Sequence, residues 1–288
     1  MTKTITRYVG TVAAIALILS GAWCSFASAA PLTFVWNPAA TLPPLVGGLI
    51  GPANNFNVAD FASVTIAPNG SFSEVGYLSV LQFLNGGAPA PQTGLNSTYS
   101  LYFGFNGTGT GTTPPPPGSA TTGPFTKLDY TLFAVAGPTP TFTVTNGNVT
   151  VSGAGAFPLA FGSLINGTAT LTNTGVGPQP FSPTANLFDT FNVCTAAGQG
   201  NAGFGQALCT GNESGFFVVP PPGTINLVVG NFSATTSVTS FDGTFLNING
   251  GGGNLTLENR VPEPMSLILL GVGLLGLTGL GRRKLIKR

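Results

Sequence analysis

The stretch with the clearest chemical purpose begins at Val261-Pro262-Glu263-Pro264, close to the C-terminus. Two prolines in four residues stop a helix from running back through the junction and hold it extended. An extended, exposed junction is what a transpeptidase needs to reach a backbone carbonyl. The junction is followed by an apolar run, Met265 to Gly281, of 17 residues. That is at the short end of the roughly 17–25 needed for a membrane-spanning helix. Its glycines (Gly271, Gly273, Gly276, Gly279 and Gly281) are tolerated in lipid but make the span weak. Arg282, Arg283 and Lys284 come next, then Lys287 and Arg288. Cations resist transfer across the bilayer, so this end is expected to stay cytoplasmic while everything before Val261 lies outside.

Elsewhere the residues that could do chemistry are sparse. The chain has no histidine, which removes Ser-His-Asp and Cys-His nucleophilic sites and histidine-ligated metals. Between the two ends the acids are Asp60, Glu74, Asp129, Asp189, Glu213, Asp242 and Glu258, with no two adjacent. A glycosidase needs two facing carboxylates. Asp60 with Glu74 or with Asp129 is the pair that folding would have to bring together. Lone acids in strands and turns more often cap a turn or stay solvated, so no catalytic residue, metal site or cofactor is expected. The glycine clusters Gly107 to Gly111 and Gly250 to Gly253 lack the Gly-Lys-Ser/Thr of a phosphate loop and read as flexible turns. Asn-x-Ser/Thr triplets, as at Asn231 and Asn254, fit chance in so Asn- and Thr-rich a chain. Trp36, Tyr77, Tyr99, Tyr102 and Tyr130 could stack on sugar rings; core packing is the simpler expectation.

The N-terminus reads as a secretory leader, residues 1–29. Lys3 and Arg7 form a positive start, Val9 to Leu19 is an apolar core too short to span comfortably, and Ala27-Ser28-Ala29 is an A-x-A cleavage site that leaves Ala30 first. Cys24 follows Trp23 rather than a small residue, which argues against a lipidation site. Two cysteines remain, Cys194 and Cys209. In an oxidising compartment an isolated pair is most simply a disulfide.

Val261-Pro262-Glu263-Pro264, the apolar run and the Arg282-Arg283-Lys284 cluster together resemble the PEP-CTERM sorting signal of exosortase substrates. The resemblance covers residues 261–288. It implies an exopolysaccharide-producing bacterium of Gram-negative type and an exosortase that acts near the Pro-Glu-Pro. It also implies an inner-membrane-anchored intermediate and a final place on the cell surface or in the matrix. Catalysis in that processing belongs to the exosortase. A second resemblance rests on Phe34-Val35-Trp36-Asn37-Pro38, Asn57-Val58-Ala59-Asp60-Phe61, Phe72-Ser73-Glu74-Val75-Gly76-Tyr77 and Leu95 to Phe103. These phrases are similar to flocculation-associated PEP-CTERM proteins, which implies a role in holding cells together through exopolysaccharide.

The passenger between the ends, residues 30–260, must be held by something other than charge. Its seven acids and two bases, Lys127 and Arg260, give a net −5, whereas the whole chain is +1. An acidic surface disfavours nucleic acid, which is bound through Lys and Arg. Charged residues are 6% of the chain, against about 25% in ordinary soluble domains, so solubility rests on Asn, Gln, Ser, Thr and peptide groups. Short Val-, Phe-, Tyr- and Thr-rich runs recur between Gly, Asn and Pro, without helical periodicity. Strands are expected at Phe61–Ile66, Gly76–Phe83, Leu101–Phe105, Tyr130–Val135, 224–229, 244–248 and Asn254–Leu257. Asn146-Gly147 between Phe142/Val144 and Val149/Val151 marks a hairpin, and Asn166-Gly167 reads similarly. The expected architecture is all-β: one antiparallel β-sandwich with long Gly/Pro-rich loops, including Pro114 to Pro117 and Pro220 to Pro222, plus the leader and one C-terminal transmembrane helix at 265–281. The expected function is that of a non-enzymatic, exosortase-sorted surface protein associated with exopolysaccharide, biofilm or flocculation. The alternative is a secreted carbohydrate-binding or polysaccharide-acting protein.

Overall fold

Alternating apolar and polar side chains build sixteen strands among the described residues of the computed structural model. They are β1 (Phe34–Trp36), β2 (Ile50–Ala53), β3 (Asn55–Ile66), β4 (Phe72–Asn85), β5 (Ala88–Pro89), β6 (Tyr99–Gly109), β7 (Ser119–Ala136) and β8 (Thr141–Thr145); then β9 (Asn148–Ser152), β10 (Phe157–Asn173), β11 (Phe181–Thr190), β12 (Asn192–Val193), β13 (Phe217–Val219), β14 (Leu227–Ser233), β15 (Val238–Phe241) and β16 (Phe245–Glu258). The structure describes residues 31–259, except 43–44, 46–47, 91–93, 112, 154, 178, 201–207, 212–214, 220–226 and 235–236. All of these lie in one unit, Ala30–Asn259; the other unit, Met1–Ala29 with Arg260–Arg288, is outside the described residues.

Eight strands form a closed ring. In the order β3, β4, β6, β7, β10, β11, β14, β16, each pairs antiparallel with the next. The last, β16, returns to β3 along a seam running from Phe245↔Thr65 to Thr256↔Asn55. This is an up-and-down barrel, in which closure removes the sheet edges. It corrects the expected sandwich. Both architectures show the same two-residue alternation; they differ in whether the last strand comes back to the first, and no local pattern encodes that. Among the described residues no helix is long and apolar enough to cross a membrane. The run 265–281, where a transmembrane helix is expected from the sequence, lies outside them, as does the 220–222 proline run.

Closure divides every strand into two faces. Asp60, Leu78, Phe103 and Leu132 are partners in one lateral row across β3, β4, β6 and β7, and all four are buried. Their chain neighbours Phe61, Tyr77, Tyr102 and Phe133 face the other way. There Phe142 and Val149 of the β8–β9 hairpin cover them in a separate apolar cluster. Phe61 stacks on Phe142 with centroids 4.9 Å apart. The Thr-rich side of that hairpin, with Thr141, Thr143, Thr145 and Thr150, is exposed. The Asn146-Gly147 turn is present, with Gly147 at φ 75°.

A small sheet, β13-β1-β2, adds an aromatic cluster that is continuous with the core of the barrel interior. Phe34 stacks on Phe56 at 5.2 Å, and Trp36 lies 4.1 Å from Phe83. The Trp36 indole N–H donates to the Tyr99 hydroxyl at 2.9 Å, satisfying both groups where no water reaches. Cys194 and Cys209 form a disulfide with Cα atoms 5.6 Å apart.

Several sequence readings need correction. Asn166-Gly167 is not a turn but the middle of β10, beside a register shift between Leu164 and Asn166. Gly107 and Gly109 lie in β6, and Gly250 to Gly253 in β16, with a shift between Asn249 and Gly251. These glycines serve packing more than turning. The clearest case is Gly76, where a Cβ would meet the Phe105 ring and the Phe61 carbonyl at 2.7 Å. Gly76→Val should therefore destabilise the barrel by about 1–3 kcal/mol, the usual cost of overpacking. Urea unfolding followed by Trp36 fluorescence checks this, with Gly48→Ala, whose added Cβ meets nothing within 4 Å, as the neutral control.

Candidate functional site

The barrel interior is lined mainly by apolar side chains and holds three acids. Asp60 projects inward from the middle of β3, because Phe56, Val58, Ala62 and Val64 share its parity. Glu74 comes from β4, where it is the partner of Val64, and Asp189 from β11, where it is the partner of Val228. Two adjoining chambers of about 60 Å³ each share Asp60, Glu74, Phe125, Ala185 and Phe232 as walls. Asp189 and Tyr130 line the second chamber.

The electrostatics follow from burial. Asp60 is 6% exposed and Asp189 3%. Burial raises the Asp60 carboxyl well above its ordinary range, and the charge of Glu74 raises it further. Burial pushes Glu74 up to about 7; it keeps some surface in solvent, but enough protein surrounds it to strip most of its hydration. Burial likewise pushes Asp189 up to about 7. Tyr130 is raised by burial and then by Asp189, and its hydroxyl donates to the Thr190 carbonyl. One oxygen of Asp60 and one of Asp189 have no hydrogen-bond partner. Lys127, the one cation among the described residues, faces away and pairs with Asp129 at 2.9 Å. The structure thus brings Asp60 to Glu74 but not to Asp129, whose other partner is the Ser163 hydroxyl at 2.8 Å.

The outer face carries a different chemistry. Thr168, Asn186, Asn231, Asn254, Asn57 and Gln82 are successive lateral partners across β10, β11, β14, β16, β3 and β4. Their chain neighbours Ala185, Leu187, Phe232 and Leu255 line the interior, so the amides point outward. At about 4.8 Å per strand the row extends roughly 24 Å. It runs through two shallow grooves whose walls include Gly167 and Gly230 on one side and Ala59, Leu81 and Gly250 to Gly253 on the other. No described residue hydrogen-bonds to the side chain of Asn57, Gln82, Asn186, Asn231 or Asn254, which leaves a line of free donors and acceptors.

Sequence reasoning singled out Asp60 and Glu74 and missed Asp189 as their companion. It noted Asn231 and Asn254 only as chance triplets. The available signal was an Asn flanked by apolar residues inside a strand, but the register that aligns the row is long-range. Trp36, Tyr77, Tyr99, Tyr102 and Tyr130 are all buried, so none offers a surface platform for sugars. Among the described residues no three His, Cys, Asp or Glu side chains are placed to hold a metal ion. Asp242 closes the β15–β16 turn by accepting from Thr244 and Phe245 N–H, which lowers its carboxyl.

The chain's address lies in its tail. Residues 260–284 match the PEP-CTERM protein-sorting motif. The chain carries an exosortase sorting signal. Val261, Pro262, Glu263 and Pro264, and the cations Arg282, Arg283 and Lys284, fall within the match; these residues, like Ala27, Ala29 and Ala30 at the expected leader cleavage site, are outside the described structure. The PEP-CTERM signal marks an exported protein that passes through a membrane-anchored intermediate to the surface, with exosortase as its processing partner. Comparison with curated proteins finds no match, and comparison with solved structures finds none either.

The buried acids dictate a sign for the pH dependence of stability. A carboxyl raised in the folded state holds its proton where the unfolded chain has released it. Its stabilising contribution is complete below the unfolded value of about 4 and is lost as pH rises through about 7. The melting temperature should therefore fall between pH 5 and pH 8, as read by scanning calorimetry. Asp189→Asn, which mimics the protonated acid, should flatten part of that slope.

Proposed function

We propose that this exported protein is a non-enzymatic component of the cell surface that holds neutral exopolysaccharide along the carboxamide row on its outer face, and so contributes to biofilm or floc cohesion. The observation that carries the reading is the lateral alignment of Asn186, Asn231, Asn254 and Asn57. Amides offer a donor and an acceptor each, which suits vicinal hydroxyls. Their strand-to-strand spacing is close to the length of one sugar ring, so an extended glycan could meet successive amides. Low charge supports the same partner: a neutral polymer offers nothing for Lys or Arg to grip, and binding of this kind resists salt.

The alternative of a polysaccharide-acting enzyme finds little support. Asp60 and Glu74 are the paired carboxyls, but they border chambers of about 60 Å³. An apolar cavity of roughly 150 Å³ is the scale that accommodates benzene, so a pyranose in a polymer has no room beside them.

Two measurements test the reading. Deleting residues 261–288 should abolish surface retention; unchanged display of the truncated protein would rule out tail-directed sorting. The triple change Asn186→Ala/Asn231→Ala/Asn254→Ala should weaken binding to the producing cell's own matrix glycan by tenfold or more, at about 1 kcal/mol per lost hydrogen bond. Equal retention of variant and parent on immobilised glycan would sink the role of the row.

A further inference from the structure

We propose that Asp60 and Glu74 form a pH-operated latch on the β16–β3 seam, closed while they hold their protons and loosened when both ionise. Through the seam the latch regulates the carboxamide row outside, a step that rests on the glycan-binding function proposed for that row. Opposite Asp60, Ala59 and Val58 of β3 stand Gly251, Gly252 and Gly253 of β16. In these successive pairs only β3 contributes side chains, and a register shift between Asn249 and Gly251 borders them. A second shift, between Asn57 and Val58, interrupts the pairing of the same stretch of β3 with β4. Glycine inside a strand weakens it, so the barrel wall here is thin. On its inner side Asp60 and Glu74 border the same two chambers. On its outer side Gly250 to Gly253 line the groove that also holds Asn57, Asn231 and Asn254. Phe232 and Ser233 border both that groove and the first chamber.

Two carboxyls in one apolar lumen make closure sensitive to protons. Protonated, each is neutral and the wall closes over it at little cost. Ionised, the two repel each other and each demands hydration. No cation faces them among the described residues, since Lys127 pairs with Asp129 outside. The other titratable groups in the lumen are Asp189 and Tyr130, which border only the second chamber, where the charge of Asp189 acts on Tyr130. One Asp60 oxygen has no hydrogen-bond partner, so no protein donor meets a charge placed there. Glu74 keeps some exposure, whereas Asp60 is 6% exposed. It is therefore Asp60, on the seam strand itself, whose ionisation loads the glycine wall.

The row outside shares the same joint. Asn254 and Asn57 are lateral partners across the seam, on the strands that carry Gly251 and Asp60. The sign follows from the closed state's hold on protons: closure is favoured at low pH and loses that support as pH rises through neutrality. A carboxyl moved by closure from 4.5 to about 7, as burial sets Glu74, shifts the closed-to-open ratio roughly seventyfold between pH 5 and pH 8. By reciprocity, a glycan lying across Asn254 and Asn57 favours closure and so keeps protons on the pair.

The test uses the intact protein as recovered from cells. Hydrogen exchange read by mass spectrometry at pH 5 and pH 8, corrected for the intrinsic rate, reports local opening without any ligand. Protection over Asn55 to Asp60 and Gly251 to Leu257 should fall at least tenfold toward pH 8, while the β6–β7 ladder changes by less than about threefold. Asp60→Asn/Glu74→Gln should remove the difference. No loss at the seam, equal loss in both ladders, or undiminished loss in the double variant overturns the latch. Where the variant does not fold, the comparison of ladders in the unaltered protein decides. At pH 8, matrix glycan of the producing cell should restore seam protection at least tenfold; glycan that binds without restoring it overturns the coupling to the row. Glycan that binds at neither pH overturns the function proposed for the row, and the ligand-free comparison still decides the latch.

Discussion

The hydrogen-bonded seam between β16 and β3 is the constraint on which the rest of this protein depends. It joins residues on opposite sides of the passenger sequence, Phe245 with Thr65 and Thr256 with Asn55. Until it forms, the eight strands are an open meander with β3 and β16 as two exposed edges, a template for association with other chains. Once it forms, each strand must commit one face inward and one outward, because the side-chain period of two admits no third option. Interior acids and exterior amides are then fixed together, since a one-residue slip would exchange them. Gly251 belongs to the same arrangement: it is the lateral partner of Asp60, and a Cβ there would sit 3.2 Å from the Cβ of Asp60.

The sequence showed the material and not the closure. Strand character at 101–105 and 130–135 was legible because β-branched and aromatic residues cluster there between turn formers. The β8–β9 hairpin was legible because Asn146-Gly147 is a local signal that needs no tertiary support. The same dipeptide logic failed at Asn166-Gly167, where β10 runs through with a bulge and pairs with β7 and β11 on its two sides. Two full ladders of hydrogen bonds outweigh one dipeptide's preference for a turn. Glycine runs misled for a related reason. In a narrow barrel filled with phenylalanine rings, a residue without a side chain is a place for a neighbour's ring, and sequence alone cannot tell that from flexibility.

The candidate site was half legible. A pair of carboxyls could be named by elimination, and Asp60 with Glu74 is the pair the fold unites. Asp189 was no more visible than Asp129, since each sits in a strand among Thr and Phe. What separates them is parity: Asp129 falls on the outer face, where Lys127 and Ser163 meet it, while Asp189 falls on the inner face, where nothing does. The amide row was illegible for the opposite reason. Each Asn is ordinary by itself, and only the register of six strands makes them a line.

Polar groups in this barrel are arranged in a way that bears on where it works. Outward-facing residues such as Asn57, Asn186, Asn231 and Asn254 are amides, and the lumen is largely apolar. A barrel that sits in lipid needs the reverse, an apolar outer band around a polar interior. A water-facing barrel normally gains solubility from charge; this one uses amides, hydroxyls and glycine, which do not lose effect in salt. Its three inward carboxyls then add little to the field outside, because burial keeps them protonated to higher pH than a surface acid. The passenger is thus nearly neutral in its surroundings by two independent devices, while the cations of the chain are concentrated in the expected leader and the sorting tail, with only Lys127 and Arg260 outside them. The chain's cations are thus concentrated in its ends, and the body between them presents mainly amides, hydroxyls and peptide groups to its surroundings.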